Sequence, residues 1–230
     1  MKAVILAGGL GTRLRPFTQV IPKSLLPVGE SSVLEIQINR LIESGATEIF
    51  VATNYKSKLV KAFLEDGNKF SIPIRFSVEK EPLGTCGPVN LLKDELNEPF
   101  ILMNGDILST INYKKVYNFS NEIDADLIIV TKKVITPFHF GNVISDGDYI
   151  IGVDEKPDLV MEILSGIYIL KPPVFELIPP NINYGIDILI KDMLKQGKKV
   201  AKYLMEDYWL DIGRIEDYEK AQTDYKDHFA

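Results

Sequence analysis

The sequence predicts a single α/β unit built on one doubly wound, mostly parallel but mixed sheet. Two observations predict it. Apolar runs and helical patterns alternate four times over about the first hundred residues, and the remainder is richer in strands than in helices.

At 230 residues the chain can bury a substantial core. The first strand is the continuous apolar run KAVILA at 2–7, as expected of a strand covered on both faces. A helix follows at 31–45, with apolar residues at helical spacing, an opening serine and a closing glycine. A strand at 48–53, a helix at 57–67, a strand at 72–79 and a third helix at 85–96 continue the alternation. Pro88 falls in the first turn of that third helix, where a missing amide is harmless. The fourth strand, 99–106, ends in the polar residues NGD. Strands at 126–131, 141–145, 149–155 and 162–170 follow with little helix between them. A helix at 185–197, a strand at 199–205 and a polar helix at 215–229 come last. No repeat, low-complexity tract or linker divides the chain, so residues 1–230 are expected to form one domain.

The net charge of −6 argues against a general binder of nucleic acid or of an anionic membrane. Any anionic ligand must be held by a local pocket. The one cysteine, Cys86, excludes an intrachain disulfide and fits a reducing, cytoplasmic setting. It reads as a packing residue, as do the aromatics around Trp209. His139 and His228 are too few and too scattered for a metal cluster. The apolar start at 3–7 stops at Gly8, far short of the roughly 20 residues that span a bilayer and too short for a signal-peptide core.

The most informative stretch is VILAGGLGTRLRPFTQVIPKSLLPVG at 4–29. A dinucleotide fingerprint needs a third glycine where Leu14 stands, and Pro16 breaks the helix that should follow. A P-loop needs glycine before Lys23-Ser24, and Pro22 is there. What remains is a long loop with amides at Gly8 to Thr12, a guanidinium at Arg13 and an ammonium at Lys23. Such a turn can be merely structural. Amides, a planar guanidinium and a compact ammonium together also suit a polyphosphate.

These residues resemble the signature of the sugar-1-phosphate nucleotidyltransferases, approximately G-G-x-G-T-R-L-x-P-x-T followed by P-K-x-L-x-P. Further matches follow in the family's order: EPLGTCGPV at 81–89, NGD at 104–106, FGNV at 140–143, DEKP at 154–157, SGIYIL at 165–170 and WLDIGRIEDY at 209–218. The motifs closest to this chain are those of short mannose- and heptose-1-phosphate guanylyltransferases.

The resemblance implies a Rossmann-like nucleotide-diphospho-sugar transferase fold, with a nucleotide-binding half at about 1–110 and a sugar-phosphate-binding half at about 111–230. It implies a Mg²⁺-dependent reaction of a nucleoside triphosphate with a sugar 1-phosphate, yielding a nucleotide sugar for glycan or cell-surface polysaccharide synthesis and releasing pyrophosphate. Arg13 and Lys23 would be catalytic. Leu6, Ala7, Gly8, Gly9, Gly11, Thr12, Glu79, Pro82, Gly84 and Thr85 would bind the nucleotide, and Asp106 and Asp211 the metal. Gly141, Glu155, Lys156, Ser165 and Gly166 would bind the sugar phosphate. The sequence departs from the family at Leu164-Ser165, which leaves the sugar open.

For the base, Glu79 (or Glu81, one register away) offers a carboxylate that could accept from guanine's two neighbouring donors, which favours GTP. Uridylyl-, thymidylyl- and cytidylyltransferases remain alternatives. So do a glycosyltransferase on a related sheet and a non-catalytic subunit that senses nucleotide sugars. No nucleic-acid or membrane partner is expected, a homo-oligomer is left open, and no appended C-terminal β-helix is expected.

Overall fold

The computed structural model describes residues 1–65 and 69–230. Its central sheet has seven strands: β1 (Lys2–Leu6), β2 (Glu48–Thr53), β3 (Ile74–Val78), β4 (Phe100–Asn104), β5 (Leu127–Pro137), β6 (Asp158–Leu170) and β7 (Val200–Met205). Their order across the sheet is β7-β5-β6-β4-β1-β2-β3. Only β6 runs against its neighbours, so the sheet is mixed but mostly parallel, as expected. Alternate side chains of β1 show why both faces must be covered: Ala3 and Ile5 enter one apolar cluster and Val4 enters the other.

Helices α1 (Val33–Glu43), α2 (Ser57–Leu64), α3 (Tyr113–Glu122), α4 (Ile186–Lys195) and α5 (Ile215–His228) surround this sheet. Ser32 caps α1 through a reciprocal pair of bonds: Glu35 N–H donates to Ser32 Oγ at 3.2 Å, and Ser32 N–H donates to the Glu35 carboxylate at 3.4 Å. The expected helix at 57–67 is helical to Leu64, and its positions 66–67 lie outside the described residues.

The structure departs from expectation in three places. The stretch 85–96 is helical only over Gly87–Asn90. Beyond it the amides of Leu91 and Leu92 reach back three residues instead of four, and the Asn90 side chain is drawn away to donate to the Ile178 carbonyl. Helix α3 went unpredicted, although Asn112 caps it by accepting from Lys115 N–H at 3.0 Å and Tyr113, Val116 and Ser120 line its buried side. Strands β5 and β6 also run far beyond the expected 126–131 and 162–170, forming a projecting ribbon.

The last helix closes onto the front of the chain. Tyr218 Oη donates to the Pro27 carbonyl at 2.7 Å, the Gln222 amide donates to the same carbonyl, and Gly29 N–H donates to Gln222 Oε1 at 3.1 Å. The Tyr225 ring fills the place a side chain at Gly29 would take. Among the described residues no helix is long and apolar enough to cross a membrane.

Candidate active site

The loop after β1 folds back on itself through three single turns, Thr12–Leu14, Phe17–Val20 and Lys23–Leu25. Gly11 starts this path in the left-handed region (φ 58°), where a Cβ would stand 2.8 Å from Thr18 Cγ2. Thr18 Oγ1 secures the bend by donating to the Gly11 carbonyl at 2.7 Å. Leu14 anchors the loop in an apolar cluster with Leu26, Val33, Leu210 and Ile212. The preceding residue, Arg13, therefore points outward. Its guanidinium nitrogens lie 3.7 Å from where a Cβ on Gly213 would stand, and it shares a surface cleft with Arg214.

The same fold-back carries Lys23 to the carboxyl end of β4. Here Gly105 passes close to β1, with its amide donating to the Leu6 carbonyl at 2.9 Å, and Asp106 follows. A short antiparallel pairing of Ile107–Ser109 with Trp209–Asp211 brings Asp211 alongside, and Ile212 N–H donates to the Asp106 carbonyl at 3.0 Å. Lys23 Nζ bonds the Asp106 carboxylate and stands 3.9 Å from Asp211 Oδ1.

Two carboxylates thus share one ammonium. Burial first and the Asp106 charge second hold the Asp211 carboxyl above its ordinary range, opposed by Lys23 and more weakly by Arg13. Asp106 Oδ1 and Asp211 Oδ1 are buried with no hydrogen-bond partner among the described residues. Buried carboxylate oxygens without hydrogen-bond partners, on two aspartates that share one ammonium, suit a hard divalent cation, which typically takes one or two carboxylates and completes its shell with phosphate oxygens and water. The described residues offer no cluster of three or more His, Cys, Asp and Glu, so substrate oxygens would have to supply the rest of such a shell.

Beside this cluster opens a cleft of about 380 Å³. It brings together Leu6, Gly8, Gly9, Glu79, Pro82, Gly84 and Thr85 with Asp106. An adjoining recess adds Ala7 and Lys23. Gly11 and Thr12 line neither, and Gly11 instead shapes the loop. Glu79 is buried and lines the cleft, while Glu81 is exposed.

One Glu79 oxygen accepts from Leu83 N–H at 2.9 Å, and the other would lie 3.1 Å from a Cβ on Gly8. Burial pushes its carboxyl up, and the Leu83 bond partly offsets that. Gly84, at φ 79°, passes so close to Tyr184 that a Cβ would stand 2.9 Å from its carbonyl oxygen. Leu10, Asn54, Asn104 and Asn183 also line the cleft and were missed. Asn104 could have been found from NGD and Leu10 from the glycine-rich loop around it; Asn54 and Asn183 carry no local signal.

The sugar-phosphate set is not gathered into this cleft. Gly166, at φ 77°, borders it, since its Cβ would stand 2.8 Å from Asn104 Nδ2. Ser165 is buried with its hydroxyl donating to the Val130 carbonyl at 2.8 Å, so its side chain serves the sheet. Gly141, Glu155 and Lys156 lie together on the projecting arm. A Cβ on Gly141 would be 3.2 Å from Glu155 Oε2, and Lys156 Nζ is 3.9 Å from Glu155 Oε1. Cys86 is buried, its thiol pushed up to about 12 by desolvation, as fits a packing residue. Trp209 packs against the core and donates to the Ser165 carbonyl at 2.8 Å.

The chain is 34% identical over 227 residues to the mannose-1-phosphate guanyltransferase of Candida albicans, an alignment covering 95% of this chain and 62% of that protein. It therefore spans less than two thirds of that relative's length. HddC from Yersinia pseudotuberculosis, solved complexed with GMP-PN, superposes with a TM-score of 0.75 at 28% identity, covering 97% of this chain and 99% of that one. A Bacillus anthracis structure, described provisionally as a glucose-1-phosphate thymidylyltransferase and solved with sucrose, gives a TM-score of 0.79 at 25% identity, covering 97% and 94%. The family described as Nucleotidyl transferase matches residues 2–228, and the chain belongs to that family.

Proposed function

We propose that the protein condenses a nucleoside triphosphate, GTP in preference, with a sugar 1-phosphate to give a nucleotide sugar and pyrophosphate. The observation that carries this reading is the Lys23–Asp106–Asp211 cluster beside a cleft walled by the glycine-rich loop and Glu79. Ligands of open α/β sheets bind at the carboxyl ends of strands, where this cluster lies.

A phosphate oxygen of the sugar 1-phosphate attacks the α-phosphorus. The bond from that phosphorus to the bridging oxygen of the β-phosphate breaks, and pyrophosphate leaves with the electron pair. No protein nucleophile is needed; positioning and charge neutralisation carry the step. The amides of Gly8 and Gly9 approach the phosphates, Arg13 holds the triphosphate from the solvent side, and Lys23 neutralises charge that develops between the reacting phosphates. Asp106 and Asp211 hold the divalent ion, magnesium in this proposal. When bound, that ion supplies further charge neutralisation at the phosphates. Glu155 and Lys156 contact the sugar hydroxyls and its phosphate, with Gly141, Ser165 and Gly166 contributing backbone.

Guanine is favoured because the buried Glu79 keeps acceptor capacity at the cleft wall, and the guanyltransferase relative and the neighbour solved with GMP-PN support it. The Bacillus neighbour keeps a pyrimidine nucleotide as the second reading. Residues 1–230 act as one unit in this proposal, in a cytoplasmic setting. Pyrophosphate release measured over a panel of triphosphates crossed with sugar 1-phosphates tests it. Release with no combination removes the activity; preference for UTP, CTP or dTTP removes only the guanine assignment.

A further inference from the structure

Helix α1 carries one amide into a face it otherwise fills with hydrocarbon. Leu34, Ile38 and Leu41 lie on that face, fully buried, and Gln37 stands at the same helical spacing with 2% exposure. Glutamine is mostly a surface residue, and its amide is costly to bury unless it is bonded. Here both Nε2 hydrogens are used. Nε2 donates to the Asn104 carbonyl at 2.9 Å and to the Ile107 carbonyl at 2.7 Å. Its Oε1 is buried with no hydrogen-bond partner among the described residues. The amide therefore serves two carbonyls and leaves its own oxygen unspent.

Those two carbonyls flank Asp106. Asn104 ends β4, Gly105 and Asp106 make the turn, and Ile107 opens the short strand that pairs with Trp209–Asp211. Within that pairing Ile107 lies directly opposite Asp211. Gln37 grips the residue against which the second carboxylate is registered as well as the turn that bears the first. One helical turn on, Arg40 donates through Nη2 to the Thr110 carbonyl at 2.7 Å and the Ile111 carbonyl at 3.5 Å. Two side chains of one helix fasten the segment 104–111 at both ends. The residue type at position 37 follows from the acceptors. A primary amide supplies two hydrogens from one neutral nitrogen, a carboxylate supplies none, and methionine has the length without the donors.

We propose that Gln37 is a positioning residue for the two metal-binding carboxylates: its amide holds the turn from Asn104 to Ile107 in the form that presents Asp106 and Asp211 together. This rests on the reading of those aspartates as the metal site. Gln37 lines neither the cleft nor its adjoining recess, so it acts only through the turn.

Binding of Mn²⁺ alone to the full chain, followed by loss of the free-ion EPR signal, tests it, with Asp106→Asn setting the background from other sites. Gln37→Met should weaken binding about ten- to a hundredfold, as loss of a partner behind a metal ligand typically does. Met193→Ala opens a cavity in the apolar cluster on the other face of the sheet; it should lower Tm and keep wild-type affinity for Mn²⁺. Equal affinity in Gln37→Met and wild type overturns the role of Gln37 alone. Equal weakening in Met193→Ala overturns it too, since any loss of stability would then suffice. A wild type that binds no more Mn²⁺ than Asp106→Asn removes the metal assignment, and this inference with it. If Gln37→Met does not fold, Gln37→Asn, whose amide stops one carbon short of both carbonyls, takes its place under the same outcomes. If neither folds, Gln37 serves the fold and the proposal is overturned.

Discussion

Replacing Lys23 with methionine keeps the side chain's length and deletes its charge. In the folded protein the ammonium bonds the Asp106 carboxylate and stands 3.9 Å from Asp211 Oδ1. At an effective dielectric of about 20, two unit charges at that separation attract by roughly 4 kcal/mol, much of it offset by desolvation. Deleting one partner of a fully buried pair costs about 3–5 kcal/mol. The Asp211 side chain is 45% exposed, so solvent screening brings the expected loss to about 2 kcal/mol near neutral pH. For a chain of this size that is roughly 4–8 °C in Tm, read by thermal denaturation.

The variant should then respond to a divalent cation. Binding at a hundred times Kd adds about 2.7 kcal/mol, so magnesium should return the Tm of Lys23→Met close to that of wild type. Wild type should move less, because its own ammonium competes for the same carboxylates. In acid the deficit should shrink as the Asp211 carboxyl, held above its ordinary range, takes up its proton. A Lys23→Met protein that melts with wild type and ignores magnesium would refute the reading of these three groups as one electrostatic unit.

Four further outcomes follow from the same geometry. The folded chain holds the Asp211 carboxyl above its ordinary range, so its contribution to stability is present in acid and lost as pH rises through the folded value. Asp211→Asn should therefore melt above wild type at neutral pH, converge with it in acid, and lose turnover; a lower neutral Tm would contradict this. Arg13→Ala should cut turnover by orders of magnitude with an unchanged melting curve, since the exposed guanidinium forms no ion pair among the described residues; unaltered turnover removes Arg13 from the mechanism. Gly84→Ala forces a Cβ to 2.9 Å from the Tyr184 carbonyl at φ 79°, a strain of about 1–2 kcal/mol, so Tm should fall and KM for the triphosphate rise; wild-type values for both would show the close approach is dispensable. Glu79→Gln should lower discrimination for GTP by about 1.5–3 kcal/mol, roughly tenfold to hundredfold, with little change in kcat; discrimination that stays intact assigns base reading elsewhere.

What the sequence could reveal was what local chemistry encodes. Continuous apolar runs located β1, β2 and β4, because a strand buried on both faces has no room for polar residues. Apolar residues at helical spacing between an opening serine and a closing glycine marked α1. Arg13 and Lys23 stood out in the distinctive loop after the first strand, whereas Asp106 and Asp211 were paired only through the family resemblance. Helix α3 escaped because its sequence, YKKVYNFSNE, buries few residues on a mostly polar cylinder, so its periodicity is faint. The lengths of β5 and β6 escaped for the opposite reason. Their outer halves are apolar on both faces without being buried, which no rule of alternation anticipates. Asn54 and Asn183 reach the cleft only through the crossing of distant segments. The packing of Gly84 against Tyr184 is equally invisible along the chain.

The clasp between the final helix and Pro27–Gly29 bears on how the protein is made. Translation delivers Lys23 and Asp106 early, but Asp211 and the helix carrying Tyr218, Gln222 and Tyr225 arrive near the end of the described sequence. Until residues 211–225 have left the ribosome, the glycine-rich loop stands with one carboxylate missing and the lysine-bearing loop unfastened. Fragments left by premature termination should be inert, and unable to consume the triphosphates around them.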